Sequence, residues 1–220
     1  MSKKKVIVLG GNGIGMIASS VIDRIGDAEV VGFLNDVIEV GTEVGTKKKI
    51  KVIGTSDDIP KYLADPDYYF VLAFGGMQRE KEVYEKISKL GIPEDRYYTA
   101  IDPTAVVPWD YSEIGYGTIM APLSQVSPDS VISHNCILLG NSFVGHDTFV
   151  DEFTHIATNA TVGSWVHVGK SVHIGSNATI KEKVVIGDYS LVGAGAVVVK
   201  DVPENSIVVG NPAKVLRMKG

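Results

Sequence analysis

The sequence predicts two parts, an α/β domain over residues 1–100 and an all-β parallel β-helix over residues 101–220. The β-helix is predicted by a repeat: every sixth residue from Ile114 to Val198 is aliphatic, with fifteen matches and no break. A strand repeats every two residues and a helix about every 3.6, so a long period of six indicates the flat sides of a prism. The α/β domain is predicted by apolar strands that alternate with helical segments.

Strands and helices are predicted in order along the first part. The strands are residues 6–9, 29–34, 51–53 and 68–74, and the longer helices are residues 16–25 and 78–90. A short helix follows Ser56–Asp58, with Pro60 in its first turn. This order predicts a small parallel sheet covered by helices.

The second part lacks any helical pattern before its tail. Three hexads make a coil of 18 residues, so the fifteen matches predict five coils, and residues 18 apart should stack. Small residues recur four positions after each aliphatic residue, where the chain turns a corner. Glycine often directly follows the aliphatic residue, as at Gly145, and we expect positive φ there.

Composition narrows the function further. The net charge of -5 gives no support for nucleic-acid binding. The single cysteine, Cys136, occupies a small-residue position of the repeat and is interpreted as core filler. The apolar run at residues 6–9 is too short for a signal peptide or a membrane span, so we expect a cytoplasmic protein without membrane insertion.

Several motifs carry a family resemblance. They are residues 10–15 (Gly-Gly-Asn-Gly-Ile-Gly), 33–36 (Phe-Leu-Asn-Asp), 73–76 (Ala-Phe-Gly-Gly), 145–147 (Gly-His-Asp) with 153–155 (Phe-Thr-His), and 210–214 (Gly-Asn-Pro-Ala-Lys). With the hexads, they resemble left-handed β-helix sugar acetyltransferases of the UDP-4-amino-sugar N-acetyltransferase and sialic-acid O-acetyltransferase type. These enzymes pair a small Rossmann-like N-terminal domain with the β-helix.

The resemblance implies an activity and its partners. It implies an acetyl-CoA-dependent N-acetyltransferase that acts on the amino group of a nucleotide-linked 4-amino-deoxy sugar in bacterial glycan biosynthesis. UDP is the expected nucleotide, and GDP is the alternative. It also implies a homotrimer with sites between subunits.

A histidine beside a carboxylate is suited to removing the proton of an attacking amine near neutral pH. All five histidines lie in the β-helix part, and only His146 is followed by an acidic residue, Asp147. The resemblance implies that His146 is the general base and that Asp147 raises its basicity. Neighbouring residues of a strand point to opposite faces, so a contact between these two side chains requires a turn, which Gly145 favours.

The resemblance also implies binding residues by position. The nucleotide-sugar contacts would be Asn12, Gly13, Ile14, Asn35, Asp36, Gly75 and Gln78. The acetyl-CoA contacts would be His155, Ser176 and Ala194. His155 lies half a coil after His146 and therefore on a different side of the prism, so the site would combine His146 of one subunit with His155 of the next.

Other interpretations stay open at this point. The glycine loop with Asp36 about twenty residues beyond its start fits a dinucleotide site, although residue 16 is Met and breaks the strict spacing. His155 and His173 should stack, but His167 falls on another side, so no metal site is predicted within one subunit. An O-acetyltransferase acting on sialic acid or another sugar and a non-catalytic nucleotide-binding scaffold are the remaining alternatives.

Overall fold

A computed structural model describes residues 3–74 and 79–219. The N-terminal domain consists of β1 (Lys4–Gly10), α1 (Ile14–Ile25), β2 (Ala28–Leu34), β3 (Glu43–Val44), β4 (Ile50–Gly54), α2 (Ile59–Leu63), β5 (Tyr68–Ala73) and α3 (Glu80–Ile87). The strands form one sheet in the order β3-β4-β2-β1-β5, in which all neighbours are parallel except β3 and β4. The predicted parallel sheet is therefore confirmed.

Helix α1 lies against the centre of this sheet. Its Ala18, Val21 and Ile22 are fully buried and pack in one cluster with Val6 and Val8 of β1. Helix α1 begins at Ile14, two residues earlier than predicted. The chain turns into the helix at Gly13, where a φ of 68° favours glycine. Strand β3 was not predicted, since two residues are too few for an alternating pattern.

The β-helix begins with β6 (Ala100–Ile101), and fifteen two-residue strands follow. They are Glu113–Ile114 (β7), Ile119–Met120 (β8), Gln125–Val126 (β9), Val131–Ile132 (β10), Ile137–Leu138 (β11), Phe143–Val144 (β12), Phe149–Val150 (β13), His155–Ile156 (β14), Thr161–Val162 (β15), His167–Val168 (β16), His173–Ile174 (β17), Thr179–Ile180 (β18), Val185–Ile186 (β19), Leu191–Val192 (β20) and Val197–Val198 (β21). Each strand ends on the predicted aliphatic residue. Two further strands, β22 (Ser206–Val209) and β23 (Lys214–Met218), close the chain.

The strands form three parallel sheets, one for each side of the prism. We call them side 1 (β6-β8-β11-β14-β17-β20-β22, with β23 added antiparallel), side 2 (β9-β12-β15-β18-β21) and side 3 (β7-β10-β13-β16-β19). From β7 to β21, strand partners are 18 residues apart, as His155 and His173 are, so the predicted coil is confirmed. Aliphatic residues fill the interior, and Cys136 is buried among them as predicted.

The conformation of the corners differs from the prediction. Positive φ occurs at the third residue after each aliphatic residue except the last, Val198, for example at Asn135, Asp147 and Asn159, and not at the glycines that directly follow the aliphatic residues. Those glycines are needed for a different reason: a Cβ on Gly145 would lie 2.7 Å from the backbone nitrogen of Ser164 in the next coil. Close stacking of the coils, rather than a left-handed backbone, therefore requires glycine there.

The N-terminal domain covers side 1. Ile119 and Ile137 point outward from this side but are buried against the N-terminal domain. Arg24 of α1 donates to Asp102 at 2.5 and 3.1 Å, and Asp102 is 1% exposed. No helix in the described ranges is long and apolar enough to cross a membrane.

Candidate active site

The predicted base and its acid meet at a corner of the prism. His146 and Asp147 lie between β12 of side 2 and β13 of side 3, and His146 Nδ1 is 2.7 Å from Asp147 Oδ2. Asp147 adopts the left-handed conformation, with a φ of 54°, and this turn brings two adjacent side chains together. The predicted contact is therefore present, and the carboxylate of Asp147 reaches the imidazole.

This contact decides which ring nitrogen of His146 can act as a base. An ionised carboxylate only accepts hydrogen bonds, so Nδ1 of His146 must donate to Asp147. In the neutral imidazole the other nitrogen, Nε2, then carries the free lone pair. Both side chains are close to half exposed, at 46% for His146 and 44% for Asp147, so a substrate can reach Nε2.

One neighbour of His146 was not predicted. The Trp165 ring lies edge-to-face against the imidazole, with centroids 4.5 Å apart and planes at 84°. Lys183 lies over the same indole, its Nζ 5.3 Å from the ring centroid. The period of the repeat could have predicted this neighbour. Trp165 is 18 residues after Asp147, and residues 18 apart stack in successive coils.

His155 lies on side 1, so it is on a different side from His146, as predicted. Its ring is T-shaped against that of His173, at 4.7 Å, and it faces a cavity of about 30 Å³ between α3 and the β-helix. Burial, together with the proximity of His173, lowers the pKa of His155 to about 3, so it is neutral at pH 7. Its Nε2 and the Oδ1 of Asn135, which lines the same cavity, are buried without a hydrogen-bond partner among the described residues.

The other two positions proposed for acetyl-CoA stack on one edge. Ser176 follows β17 and Ala194 follows β20, and the nitrogen of Gly195 donates to the carbonyl of Ser176 at 2.9 Å. Ser176 is half-buried and Ala194 is exposed. This edge joins sides 1 and 2, whereas His146 lies on the edge that joins sides 2 and 3.

Two of the predicted nucleotide-binding residues, Asn35 and Asp36, line a cleft of about 190 Å³ at the carboxyl ends of β1 and β2. Asn35 donates to the carbonyl of Gly10 at 2.9 Å and accepts from the backbone nitrogens of Val37 and Ile38. Its side chain therefore holds the glycine loop beside the end of β2.

Asp36 lies in the same cleft and has basic and polar partners that were not predicted. Its carboxylate accepts a hydrogen bond from Lys86 and two from Ser56, at 2.7 Å from the nitrogen and 3.0 Å from the hydroxyl. Burial favours a higher pKa for Asp36, but the hydrogen bonds from Lys86 and Ser56 outweigh it and lower the pKa.

Three of the remaining predicted positions lie at the start of α1. Asn12 and Gly13 precede α1, and Ile14 is its first residue. Gly75 and Gln78 lie outside the described residues. Across residues 3–74 and 79–219, no group of three or more His, Cys, Asp or Glu side chains is placed to hold a metal ion.

Comparisons with known proteins agree with both parts of the fold. Residues 5–87 match the family described as PglD N-terminal domain, and residues 166–200 match the family described as bacterial transferase hexapeptide (six repeats). The acetyltransferase domain of PglB from Neisseria gonorrhoeae is 28% identical, with a TM-score of 0.83, and the match covers 97% of this chain and all of that one. The same domain has been solved with acetyl coenzyme A.

Two further structures share the fold over nearly the whole chain. A histidine-to-asparagine variant of perosamine N-acetyltransferase from Caulobacter crescentus, in complex with CoA and GDP-perosamine, is 23% identical, with 97% of both chains covered and a TM-score of 0.83. WeeI from Acinetobacter baumannii AYE is 23% identical over 96% of this chain and 99% of that one, with a TM-score of 0.76. With its PglD-type N-terminal domain, its prism of hexads and its 28% identity to the PglB domain, the chain is similar to left-handed β-helix sugar acetyltransferases.

Proposed function

We propose that this protein transfers the acetyl group of acetyl-CoA to the amino group of a nucleotide-linked 4-amino sugar. The observation that carries the proposal is the pair of His146 and Asp147, which leaves Nε2 of an accessible imidazole free to accept a proton. The fold is shared with acetyltransferases solved with acetyl-CoA and with GDP-perosamine. UDP is our first choice of nucleotide and GDP is the alternative.

The reaction we propose is a direct transfer. The sugar nitrogen attacks the thioester carbonyl, and His146 Nε2 takes a proton from that nitrogen as the C–N bond forms. The tetrahedral intermediate then expels the CoA thiolate, which takes a proton from the imidazolium. Asp147 stabilises the imidazolium between these steps, because its carboxylate already accepts the Nδ1 hydrogen.

No covalent intermediate is required. The one cysteine, Cys136, is buried in the prism, and burial raises the pKa of its thiol to about 12. A thiol that stays protonated at neutral pH is a poor nucleophile. Direct attack on acetyl-CoA is therefore the simplest pathway for this chain.

The geometry favours a site shared between copies of the chain. The nucleotide cleft belongs to the domain that covers side 1, whereas His146 lies on the opposite edge, between sides 2 and 3. In a homotrimer of parallel prisms, that edge of one copy can face side 1 and the N-terminal domain of the next. The sugar would then extend from the cleft of one copy toward His146 of another, and His155 would come from the copy that supplies the cleft.

The activity can be tested by the release of free thiol from acetyl-CoA. Purified protein would be assayed with UDP-, GDP- and dTDP-linked 4-amino sugars and with free sialic acid. We expect release with one nucleotide-linked amine and a loss of at least about 100-fold in kcat for His146→Gln. His167→Gln is the matched control, since His167 is another exposed histidine of the repeat and stacks only on Phe149.

The outcomes separate the remaining functions. Release with sialic acid alone would replace the proposed acceptor by the hydroxyl group of a sugar. Nearly normal turnover by His146→Gln would remove His146 from the mechanism. Binding of a nucleotide sugar without any thiol release would favour the non-catalytic scaffold.

A further inference from the structure

We propose that Trp165 is a positioning residue for this reaction: it holds the imidazole of His146 in the plane in which Nε2 faces the acceptor. The inference rests on the proposed role of His146 as the base. It concerns a residue that the family resemblance does not select. Trp165 acts through His146 and needs no contact with either substrate.

The backbone brings Trp165 to this position. The coil that follows His146 places Ser164 and Trp165 directly over His146 and Asp147, and the Trp165 nitrogen donates to the His146 carbonyl at 3.0 Å. Trp165 has the same left-handed conformation as Asp147, with φ values of 56° and 54°. The two residues are therefore equivalent corners of successive coils, and both side chains point away from the prism beside His146.

The indole of Trp165 gives the imidazole of His146 a second contact, besides its hydrogen bond to Asp147. The hydrogen bond to Asp147 fixes the direction of Nδ1, but this bond is nearly half exposed and holds one atom only. The imidazole could still tilt about that bond. The Trp165 ring, perpendicular to the imidazole at a centroid distance of 4.5 Å, restricts this tilt.

Lys183 holds the indole itself. Its ammonium group lies over the ring of Trp165 at 5.3 Å from the centroid, within the range of a cation–π contact. Lys183 is the equivalent corner of the next coil, with a φ of 63°. Three successive corners thus form a stack in which Lys183 contacts Trp165 and Trp165 contacts His146.

The test compares Trp165→Ala with Trp165→Phe in the full-length protein. We expect kcat to fall about 3- to 10-fold for Trp165→Ala, the loss that corresponds to one aromatic contact, with little change in KM for acetyl-CoA. Trp165→Phe keeps a ring beside the imidazole and should stay within about 2-fold of the unchanged protein. In a His146→Gln background, Trp165→Ala should cause no further loss, because there is no imidazole to hold.

A second measurement does not depend on turnover. The ¹⁵N and ¹H resonances of the imidazole at pH 8 should show one Nδ1–H tautomer of His146 in the unchanged protein and in Trp165→Phe. Trp165→Ala should give broadened or averaged ring nitrogens. This expectation holds even if the proposed acceptor is wrong, so a failure of the proposed function can be told apart from a failure of this inference.

The inference is overturned by either of two results. One is an imidazole spectrum that is the same in Trp165→Ala and in the unchanged protein. The other is an equal loss of activity from Trp165→Ala with and without His146, which would mean that the indole acts on a substrate or on the fold and not through the imidazole.

Discussion

Gly145 directly precedes His146, the proposed base, and replacing it by alanine should move the corner that carries His146. A Cβ at this position would lie 2.7 Å from the nitrogen of Ser164 and 2.8 Å from its Oγ, while ordinary contacts begin at 3.4 Å. The nitrogen belongs to the backbone of the next coil, which is fixed by the hydrogen bonds of sides 2 and 3. The corner of His146 must therefore move outward.

The size of the effect follows from this displacement. To relieve the contact, the corner must shift by at least about 0.7 Å. Such a shift is large for closely stacked coils and should lower the unfolding free energy by about 1–3 kcal/mol. The same shift carries His146 away from the acceptor nitrogen. Because a misplacement of about 1 Å can cost about 100-fold, we expect kcat to fall about 10- to 100-fold.

Thiol release from acetyl-CoA and urea denaturation would measure the two effects. Gly169→Ala is the control, since its Cβ would lie 2.3 Å from Oδ1 and 2.8 Å from the nitrogen of Asp188, in a corner that does not contain His146. It should lose a similar amount of stability and keep kcat within about 3-fold. Equal kcat in Gly145→Ala and Gly169→Ala would refute the argument that displacement of His146 limits turnover.

Two further predictions concern stability against pH. Because burial and His173 lower the pKa of His155 to about 3, the unfolded chain binds a proton below about pH 6.5 that the fold does not bind, and the unfolding free energy should fall by about 2 kcal/mol by pH 5. His155→Asn should show that much less change between pH 7 and pH 5 in urea denaturation, and an unchanged pH dependence would contradict this. The hydrogen bond from Arg24 lowers the pKa of Asp102 to about 2 against the opposing effect of burial, so the ion pair stabilises the fold above about pH 4 and its contribution is lost as the pH falls to about 2. Asp102→Asn should cost about 1–2 kcal/mol at pH 7 and less at pH 3.5, and a cost independent of pH would show that the charge of Asp102 is not the source.

The strands of the β-helix were predictable to the residue, because the six-residue repeat determines where each strand ends and which strands pair. One side of the prism requires six residues, so an aliphatic residue such as Val144 or Ile156 marks the end of a strand and also its stacking partners 18 positions away. Positive φ at the corners was also predicted, but at the glycines that directly follow the aliphatic residues. In the structure it occurs two residues later. Asn135, Asp147 and Asn159 hold the corners, and Asn and Asp are the residues that tolerate the left-handed conformation best after glycine.

Contacts between the two domains were not predictable in this way. His155 points outward from side 1, so the repeat predicts an accessible side chain, and yet it is partly covered and its Nε2 is buried, because α3 packs over it. The ion pair of Lys219 with Glu80 likewise joins the two domains, and within the N-terminal domain the hydrogen bond from Lys86 to Asp36 joins segments that no local pattern relates. The contact of Trp165 with His146 was predictable in part. The 18-residue period places Trp165 over Asp147, but it does not give the orientation of the indole ring.

A site shared between two copies makes a prediction that no single-chain site makes. His146→Ala keeps the nucleotide cleft, whereas Asp36→Ala alters the cleft and keeps His146, and each variant should be nearly inactive alone. If the two are unfolded together in equal amounts and refolded, random assembly of trimers should pair an intact cleft with an intact His146 at about one site in four, restoring about a quarter of the normal kcat. Mixing the folded variants without unfolding provides the control, in which we expect no restored activity. A site within one chain would need both residues in the same molecule, and co-refolding would then restore nothing.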